Sequence, residues 1–149
     1  MNVLNLGCGN DIRDGATNHD ITRHRPEVDI VHDLNCLPWP FHDNHYHLIY
    51  CISLIEHLTI TPIQALDECW RILNADGLLV LKYPLYTSPT IHDDPTHRWH
   101  LSERSIEYVL PGTEYGDKYG FYSPHKWTIV EQATYKAKTA WFKLRPLKP

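Results

Sequence analysis

The chain opens with an apolar segment that runs directly into a glycine-containing turn, and this feature constrains the fold more than any other. Val3, Leu4 and Leu6 form the apolar segment, as in a buried strand of a parallel sheet. Gly7 and Gly9 follow at once, and glycine adopts backbone angles closed to other residues and lets a ligand approach the main chain. The arrangement predicts a small-molecule site at the carboxyl end of the first strand, although a Gly-x-Gly turn by itself is a weak signal.

Short strands alternate with polar turns over the first half of the chain. Acidic residues follow two of these strands, at Asp20 and Asp33, and Glu56-His57-Leu58 follows a fourth. Apolar runs and alternation predict strands over residues 2–6, 16–19, 28–32, 46–52, 78–83, 127–132 and 138–144. The last two are close in sequence and are expected to pair antiparallel, whereas the alternation before them indicates an α/β fold with a mainly parallel sheet.

One helix is predicted strongly, between the fourth and fifth strands. Thr61 is placed to cap it, Pro62 suits its first position and Gln64 completes a capping box. Asn74-Ala75-Asp76-Gly77 is expected to end it. After Pro84 we predict a long loop over 85–101, a short helix over 102–110, and little regular structure over 111–125.

Size and composition exclude several classes of protein. With 149 residues and 17.4 kDa, the chain is expected to be a single domain over 1–149. No apolar run is long enough for a bilayer, and Met1 opens a strand where a secreted protein would carry a leader, so we expect a cytoplasmic protein without a membrane partner. The net charge of −4 comes without a Lys/Arg cluster, which disfavours nucleic acid as a partner. The four cysteines form no Cys-x-x-Cys pair and are interpreted as buried side chains.

Five segments in register carry a family resemblance. They are Leu4-Asn5-Leu6-Gly7-Cys8-Gly9-Asn10, Asn18-His19-Asp20, His32-Asp33-Leu34-Asn35, Leu54-Ile55-Glu56-His57-Leu58 and Trp70-Arg71-Ile72-Leu73-Asn74-Ala75-Asp76-Gly77. Together they resemble the class I S-adenosyl-L-methionine-dependent methyltransferases. More narrowly, the chain is similar to small bacterial and phage methyltransferase-domain proteins of the type 11 kind, which also carry Asp94-Pro95-Thr96-His97-Arg98 after the fifth strand.

The resemblance implies a Rossmann-like three-layer sandwich with an antiparallel strand pair at its C-terminal end. Residues 7–15 and 20–27 are the only links between the first three strands, and a full helical crossover needs about a dozen residues. The first crossover helices are therefore expected to be trimmed. A less covered cofactor site would follow, with weak binding or a partner chain that completes the site, and a homodimer is one form of that expectation.

The cofactor implied by the resemblance is S-adenosylmethionine. The Gly7-Cys8-Gly9-Asn10 turn would pass beneath its amino-acid tail, and side chains at the glycines would collide with it. Asp20 would accept from the ribose hydroxyls, and Asp33 with the Leu34 amide would bind the adenine edge. The predicted cofactor set also includes Asn5, Asn35 and Ser53. The alternatives are solvated turn acids or helix caps for Asp20 and Asp33, and a space-filling side chain for Cys8.

Two histidines are candidate catalytic residues. His57 follows the fourth strand at the edge where ligands of such sheets bind, and its ordinary pKa of about 6.5 suits a general base. Glu56 would orient it or cap a helix, and the alternative for His57 is packing beneath the cofactor. His97, with Arg98, would bind an anionic or sugar-like acceptor. A metal held by His92, Asp93, Asp94, His97 and His100 is conceivable, but no helical spacing presets their geometry, so no metal is expected.

The predicted reaction is methyl transfer to a small molecule, to oxygen rather than nitrogen or carbon. Base methylation is disfavoured because Cys51-Ile52-Ser53-Leu54 stands where an Asn/Asp-Pro-Pro-Tyr-like turn is expected, and no Pro-Cys nucleophile loop is present. Loop aromatics, Trp39, Trp99, Tyr115, Tyr119, Phe121 and Tyr122, would line an acceptor pocket or a dimer surface, or pack in the core. The alternatives are a regulatory S-adenosylmethionine-binding protein and an enzyme that degrades this compound. A nicotinamide-binding protein is disfavoured because the third glycine of its turn is absent.

Overall fold

The computed structural model describes residues 1–149 and contains one seven-stranded sheet. The strands lie in the order β3-β2-β1-β4-β5-β7-β6. Pairing is parallel from β3 to β5, whereas β7 is antiparallel to both β5 and β6. The predicted mainly parallel sheet with a C-terminal antiparallel pair is confirmed. The strands are β1 (Val3–Leu6), β2 (Thr17–Asp20), β3 (Ile30–Val31), β4 (Tyr46–Ile52), β5 (Leu73–Pro84), β6 (Lys126–Tyr135) and β7 (Thr139–Leu147).

Helix α1 (Pro62–Ile72) connects β4 to β5. The predicted capping box is confirmed: Thr61 Oγ1 accepts from the Gln64 amide, and Gln64 Oε1 accepts from the Thr61 amide. The predicted end of the helix is wrong, because Leu73 already has extended backbone angles and pairs with Tyr46 of β4. Residues 74–77 therefore belong to β5.

The hydrophobic core lies on the face of the sheet that α1 covers. Ile49 of β4 and Leu81 of β5 are fully buried on this face, and Leu66 and Cys69 of α1 join them in one cluster of 27 buried residues. Because strand side chains alternate between faces, the intervening residues, such as Tyr50, point to the opposite face. Tyr50 is half-buried, whereas its partners on that face, Asn5 of β1 and Val80 of β5, are buried, so this face is covered unevenly.

The opposite face lacks helices because the first connections are turns. No helix lies between β1 and β2, between β2 and β3, or between β3 and β4. The trimming predicted for the first two connections is confirmed and extends to the third. The Arg13 guanidinium lies 3.9 Å from the centre of the Tyr50 ring and covers part of this face.

The segment between β5 and β6 is more regular than predicted. A 3-10 helix over Glu103–Val109 is capped by Ser102, as expected for a short helix there. Helix α2 (Glu114–Tyr119) and a 3-10 turn over Gly120–Tyr122 follow, although little regular structure is predicted over 111–125. Helix α2 begins where Thr113 Oγ1 accepts from the Gly116 amide. Four tyrosine rings pack against one another in this segment: Tyr108, Tyr115, Tyr119 and Tyr122.

Cysteine burial follows the prediction at three positions of four. Cys8, Cys51 and Cys69 are buried, whereas Cys36 is exposed. Cys36 belongs to the polar turn after β3, where its amide donates to the Asp33 carbonyl. None of the helices has the length and apolar character required to cross a membrane.

We expect Thr61→Ala to lower the free energy of unfolding by about 1 kcal/mol, because it removes the oxygen that caps the Gln64 amide. The melting temperature should fall by about 2–4 °C in a chain of this length. Thr59→Ala is the matched control, because the Thr59 side chain is exposed and forms no such cap. Equal losses in the two variants, measured by urea unfolding, would show that the capping box contributes nothing.

Candidate functional site

A cleft of about 160 Å³ lies at the carboxyl ends of the first four strands. In an open parallel sheet this edge is where ligands bind. The cleft brings together six residues predicted from the sequence: Gly7, Asp20, Asp33, Leu34, Asn35 and His57. Five further residues line the cleft that the sequence did not predict as site residues: His19, Ile21, His32, Leu54 and Leu58.

The glycine turn has the left-handed backbone that its sequence predicts. Gly7 and Gly9 have φ angles of 59° and 50°, a region in which residues with a side chain are strained. A side chain at Gly7 would also meet Leu54, since an added Cβ would lie 2.8 Å from Leu54 Cδ1. Nothing lies within 4 Å of a Cβ added at Gly9. The Leu54 side chain thus packs directly over the main chain at Gly7.

Asp20 clamps this turn to the end of β2. Its Oδ2 accepts from the Gly9 amide at 2.8 Å, and its Oδ1 accepts from the Ile21 amide at 2.7 Å. These are the hydrogen bonds of a turn acid, one of the alternatives that the sequence leaves open. Each oxygen keeps a further lone pair, so the carboxylate can hold the turn and still accept from a ligand in the cleft.

Asp33, Leu34 and Asn35 form a rigid turn after β3. Asp33 Oδ1 accepts from both the main-chain amide and the side-chain amide of Asn35, each at 2.9 Å. Asn35 Oδ1 in turn accepts from the Thr59 amide at 2.6 Å. Asp33 Oδ2 and the Leu34 main-chain amide have no partner within the chain. An acceptor and a donor on neighbouring residues are therefore free to bind a ligand.

Five residues of the predicted cofactor set do not line the cleft: Asn5, Cys8, Gly9, Asn10 and Ser53. Asn5 is buried, and its side-chain amide donates to the Asp11 carbonyl at 2.7 Å and to Asn18 Oδ1 at 3.0 Å. Cys8 is buried, and burial raises the pKa of its thiol. Asn10 is exposed and accepts from Arg25 Nε at 3.1 Å. Ser53 is exposed, with a φ of 49°.

His19 is a cleft residue whose role the sequence reasoning missed. Its ring is 1% exposed. Nε2 lies 3.0 Å from the His32 carbonyl oxygen and therefore carries the proton, so Nδ1 accepts from the Gly7 amide at 3.4 Å. Burial lowers the pKa of this imidazole, which favours the neutral form. His19 thus links the turns after β1 and β3. Its position directly before Asp20 was the one sequence feature that could have indicated a place in the site.

A second group of side chains adjoins the cleft at His57. A 3-10 turn over Ile55–His57 follows β4, and one ligand atom from each of Glu56, His57 and His97 can be chosen so that all three lie within 4.8 Å of one another. The amides of Arg98 and Trp99 donate to the Glu56 carbonyl at 2.8 and 3.2 Å, which fixes the long loop over this turn. The two predicted catalytic histidines are therefore brought together.

Burial dominates the electrostatics of this group. The Glu56 side chain is 1% exposed and neither of its oxygens has a hydrogen bond. Burial raises the pKa of Glu56 to about 7. Burial also lowers the pKa of His57, whose ring packs 4.7 Å from that of His97. His92 and His100 pack against each other instead, with ring centres 4.8 Å apart, so the loop histidines do not form one cluster.

Aromatic side chains border a larger cleft beside the start of α1. Its volume is about 440 Å³, and Trp99, Tyr108 and Tyr122 contribute to its walls. Trp99 Nε1 donates to the Leu58 carbonyl at 2.8 Å, which places this cleft next to the turn that carries His57. Trp39, in contrast, is 2% exposed and packs in the core.

The open sheet, the glycine turn and the acidic turns define a Rossmann-like α/β protein with the strand order of class I methyltransferases. The family model described as "Methyltransferase domain" matches residues 7–81, half of the chain. The chain therefore belongs to the methyltransferase domain family. No curated protein matches the chain.

Solved structures of low sequence identity share the fold. A SAM dependent methyltransferase from Archaeoglobus fulgidus is 13% identical with a TM-score of 0.64, covering 97% of this chain and 86% of that chain. A SAM dependent methyltransferase from Aquifex aeolicus is 12% identical with a TM-score of 0.60, covering 97% and 81%. The [4+2]-cyclase SpnF is 12% identical with a TM-score of 0.65, covering 97% and 75%. At these identities the likeness shows the fold alone.

The two glycines of the turn give a matched pair of variants. Gly9→Ala should cost about 1 kcal/mol of folding free energy from left-handed strain alone. Gly7→Ala should cost about 1–3 kcal/mol more, because the new methyl group displaces Leu54.

Urea unfolding in a double-mutant cycle with Leu54→Ala checks this expectation. Coupling is expected for Gly7→Ala and none for Gly9→Ala. Equal losses in the two glycine variants, without coupling, would mean that Leu54 does not pack over the turn.

Proposed function

We propose that the chain transfers a methyl group from S-adenosylmethionine to a hydroxyl oxygen of a small molecule, with residues 1–149 acting as one domain. The observation that carries the proposal is the cleft that joins the glycine turn, Asp20 and the Asp33-Leu34 turn to His57. Family membership supports the cofactor and the reaction type. The oxygen preference and the small acceptor are additional parts of the proposal.

The polar groups of the cleft fit the parts of this cofactor. An adenine edge offers an amino donor beside a ring-nitrogen acceptor, which matches the unpartnered Asp33 Oδ2 and Leu34 amide. Asp20 retains lone pairs for the ribose hydroxyls. The bare main chain at Gly9, where nothing lies within 4 Å of an added Cβ, leaves room for the amino-acid tail, and Asn35 holds the Asp33 carboxylate on the adenine side.

The remaining members of the predicted cofactor set are proposed to shape the site. Asn5 holds the segment after the glycine turn through the Asp11 carbonyl. Cys8 fills the space behind the turn, where its Sγ lies 3.9 Å from Asp20 Oδ2. Asn10 and Ser53 are exposed at the ends of β1 and β4, where they are available to the polar tail of the cofactor.

His57 and His97 are proposed to act on the proton of the acceptor. When bound, S-adenosylmethionine supplies a methyl group on a cationic sulfur, and the sulfur is the leaving group when a lone pair of the acceptor attacks the methyl carbon in line. Alignment accounts for much of the acceleration in such a reaction. The part left to the protein is to hold the acceptor and accept its proton. His57 is suited to both tasks because it lines the cofactor cleft and contacts the long loop.

The aromatic cleft beside Trp99 is proposed to hold the acceptor. Its walls are partly apolar, and the exposed Arg98 in the same loop is available to an anionic or sugar-like group. We include a homodimer in the proposal, because the turns that form the cofactor cleft have no crossover helices over them. Light scattering of the purified chain tests that part.

Removal of the Asp33 acceptor should weaken cofactor binding by about 1–3 kcal/mol, or about 5- to 150-fold in Kd, if this carboxylate forms a buried hydrogen bond. Asp33→Ala removes it entirely, and Asp33→Asn keeps an acceptor for Asn35 while replacing Oδ2. Titration calorimetry with S-adenosylhomocysteine provides the measurement. Asp14→Ala, at an exposed acid, is the control. Unchanged affinity in both Asp33 variants would remove this residue from the site.

His57→Asn should lower turnover at least tenfold while the affinity for S-adenosylhomocysteine stays nearly constant, because the residue acts on the acceptor. The assay follows S-adenosylmethionine with a panel of phenols and sugars by mass spectrometry. S-adenosylhomocysteine that forms only with an acceptor indicates transfer, whereas cleavage fragments formed without one indicate a degrading enzyme. His42→Asn, at an exposed histidine, is the control. Equal turnover in the two variants would exclude His57 as the base.

A further inference from the structure

The group of Glu56, His57 and His97 has a hydrogen-bonding pattern that methyl transfer alone does not require. His57 Nδ1 lies 2.8 Å from Thr96 Oγ1, and that hydroxyl donates to Asp94 Oδ1 at 2.6 Å. Because the hydroxyl proton goes to the carboxylate, Thr96 Oγ1 accepts from His57 Nδ1. The second ring nitrogen of His57, Nε2, is therefore left with a free lone pair.

The same tautomer is fixed at His97. Its Nδ1 lies 2.8 Å from the Ile91 carbonyl oxygen, which can only accept a hydrogen bond. His97 Nδ1 thus carries the proton, and Nε2 presents a lone pair. Histidines that bind metals have this arrangement, in which one nitrogen donates to a carbonyl or an anchored oxygen and the other is the ligand.

Glu56 supplies the third group. Its side chain is only 1% exposed, and neither carboxylate oxygen has a hydrogen-bond partner. A buried carboxylate without a donor is unfavourable. The closest contact of the pair is 3.9 Å, between Glu56 Oε1 and His57 Nε2, which is too long for a hydrogen bond.

A single proton cannot pair with the Glu56 carboxylate and both Nε2 atoms, whereas a single metal cation can. A protonated Glu56 would donate to one acceptor at most, so it would pair with only one of the two imidazoles. One cation would bind all three groups at once. Two imidazole nitrogens with one carboxylate favour a first-row transition ion, since calcium and magnesium prefer oxygen ligands alone.

We propose that Glu56, His57 and His97 bind one divalent transition-metal ion through a carboxylate oxygen and two Nε2 atoms. One ring nitrogen of each histidine and one carboxylate oxygen of Glu56 lie within 4.8 Å of one another, and the ligand atoms of such an ion lie about 3–3.5 Å apart. The partly exposed His57 and His97 side chains allow that contraction. The sequence-based expectation of no metal considered His97 with four other residues of its loop and included neither Glu56 nor His57.

The position of the ion also suggests a part in the proposed methyl transfer. That part of the inference rests on the proposed function. His57 lines the proposed cofactor cleft, so the ion would lie beside that cleft. A hydroxyl bound to such an ion loses its proton more easily. The two histidines would then act on the acceptor through the ion. Metal binding itself does not depend on any cofactor.

The test uses the full chain, stripped with a chelator and titrated with Co²⁺ alone. We expect one Co²⁺ per chain, detected by its visible absorption and by elemental analysis. Glu56→Gln and His97→Ala should weaken binding at least tenfold. Thr96→Val keeps all three ligands and removes only the hydroxyl that orients His57, so it should weaken binding about tenfold. Circular dichroism confirms that each variant is folded.

The control is His92→Ala, which removes an exposed histidine from the same loop and should leave binding unchanged. Absence of stoichiometric Co²⁺, or binding that survives Glu56→Gln and Thr96→Val unaltered, would overturn the proposal. An equal loss of Co²⁺ binding in His92→Ala and in the ligand variants would overturn it too, because it would indicate nonspecific binding to surface histidines. S-adenosylhomocysteine titration without metal is independent, so failure of the metal site and failure of the proposed function give different results.

Discussion

The hydrogen bonds that Asp20 accepts from the main chain are the interaction on which the proposed cofactor cleft depends. Connections too short for helices leave the ends of β1 and β2 as bare turns, and a bare turn with two left-handed glycines has no rigidity of its own. Asp20 joins the Gly9 and Ile21 amides, and the buried ring of His19 adds a second link to the turn after β3. Side chains thus replace the support that crossover helices give elsewhere.

The sequence predicted most of the fold and the main residues of the cleft because both follow from local patterns and one topological rule. Strand periodicity and the Thr61 capping box are local, and parallel strands place their carboxyl ends at one edge. Neither rule reports packing over long distances. The contact of Leu54 with Gly7 and the approach of His97 to Glu56 each join residues more than 40 positions apart in the sequence. Helix α2 was missed because glycine and tyrosine have weak helix preferences, which stacking overrides.

His57 links the two chemical regions of the molecule. It lines the cofactor cleft, and it also belongs to the group with Glu56 and His97. The Glu56 carbonyl accepts from the amides of Arg98 and Trp99, so the loop that carries His97 is fixed to the same short turn. A change in the loop is therefore expected to reach the cofactor edge through this turn.

A crystal structure of the chain soaked with S-adenosylhomocysteine tests the central claim most directly. The account predicts the adenine beside Asp33 and the Leu34 amide, the ribose at Asp20, and the sulfur facing His57. Density for the ligand at another edge of the sheet, or no binding at millimolar ligand, would contradict it.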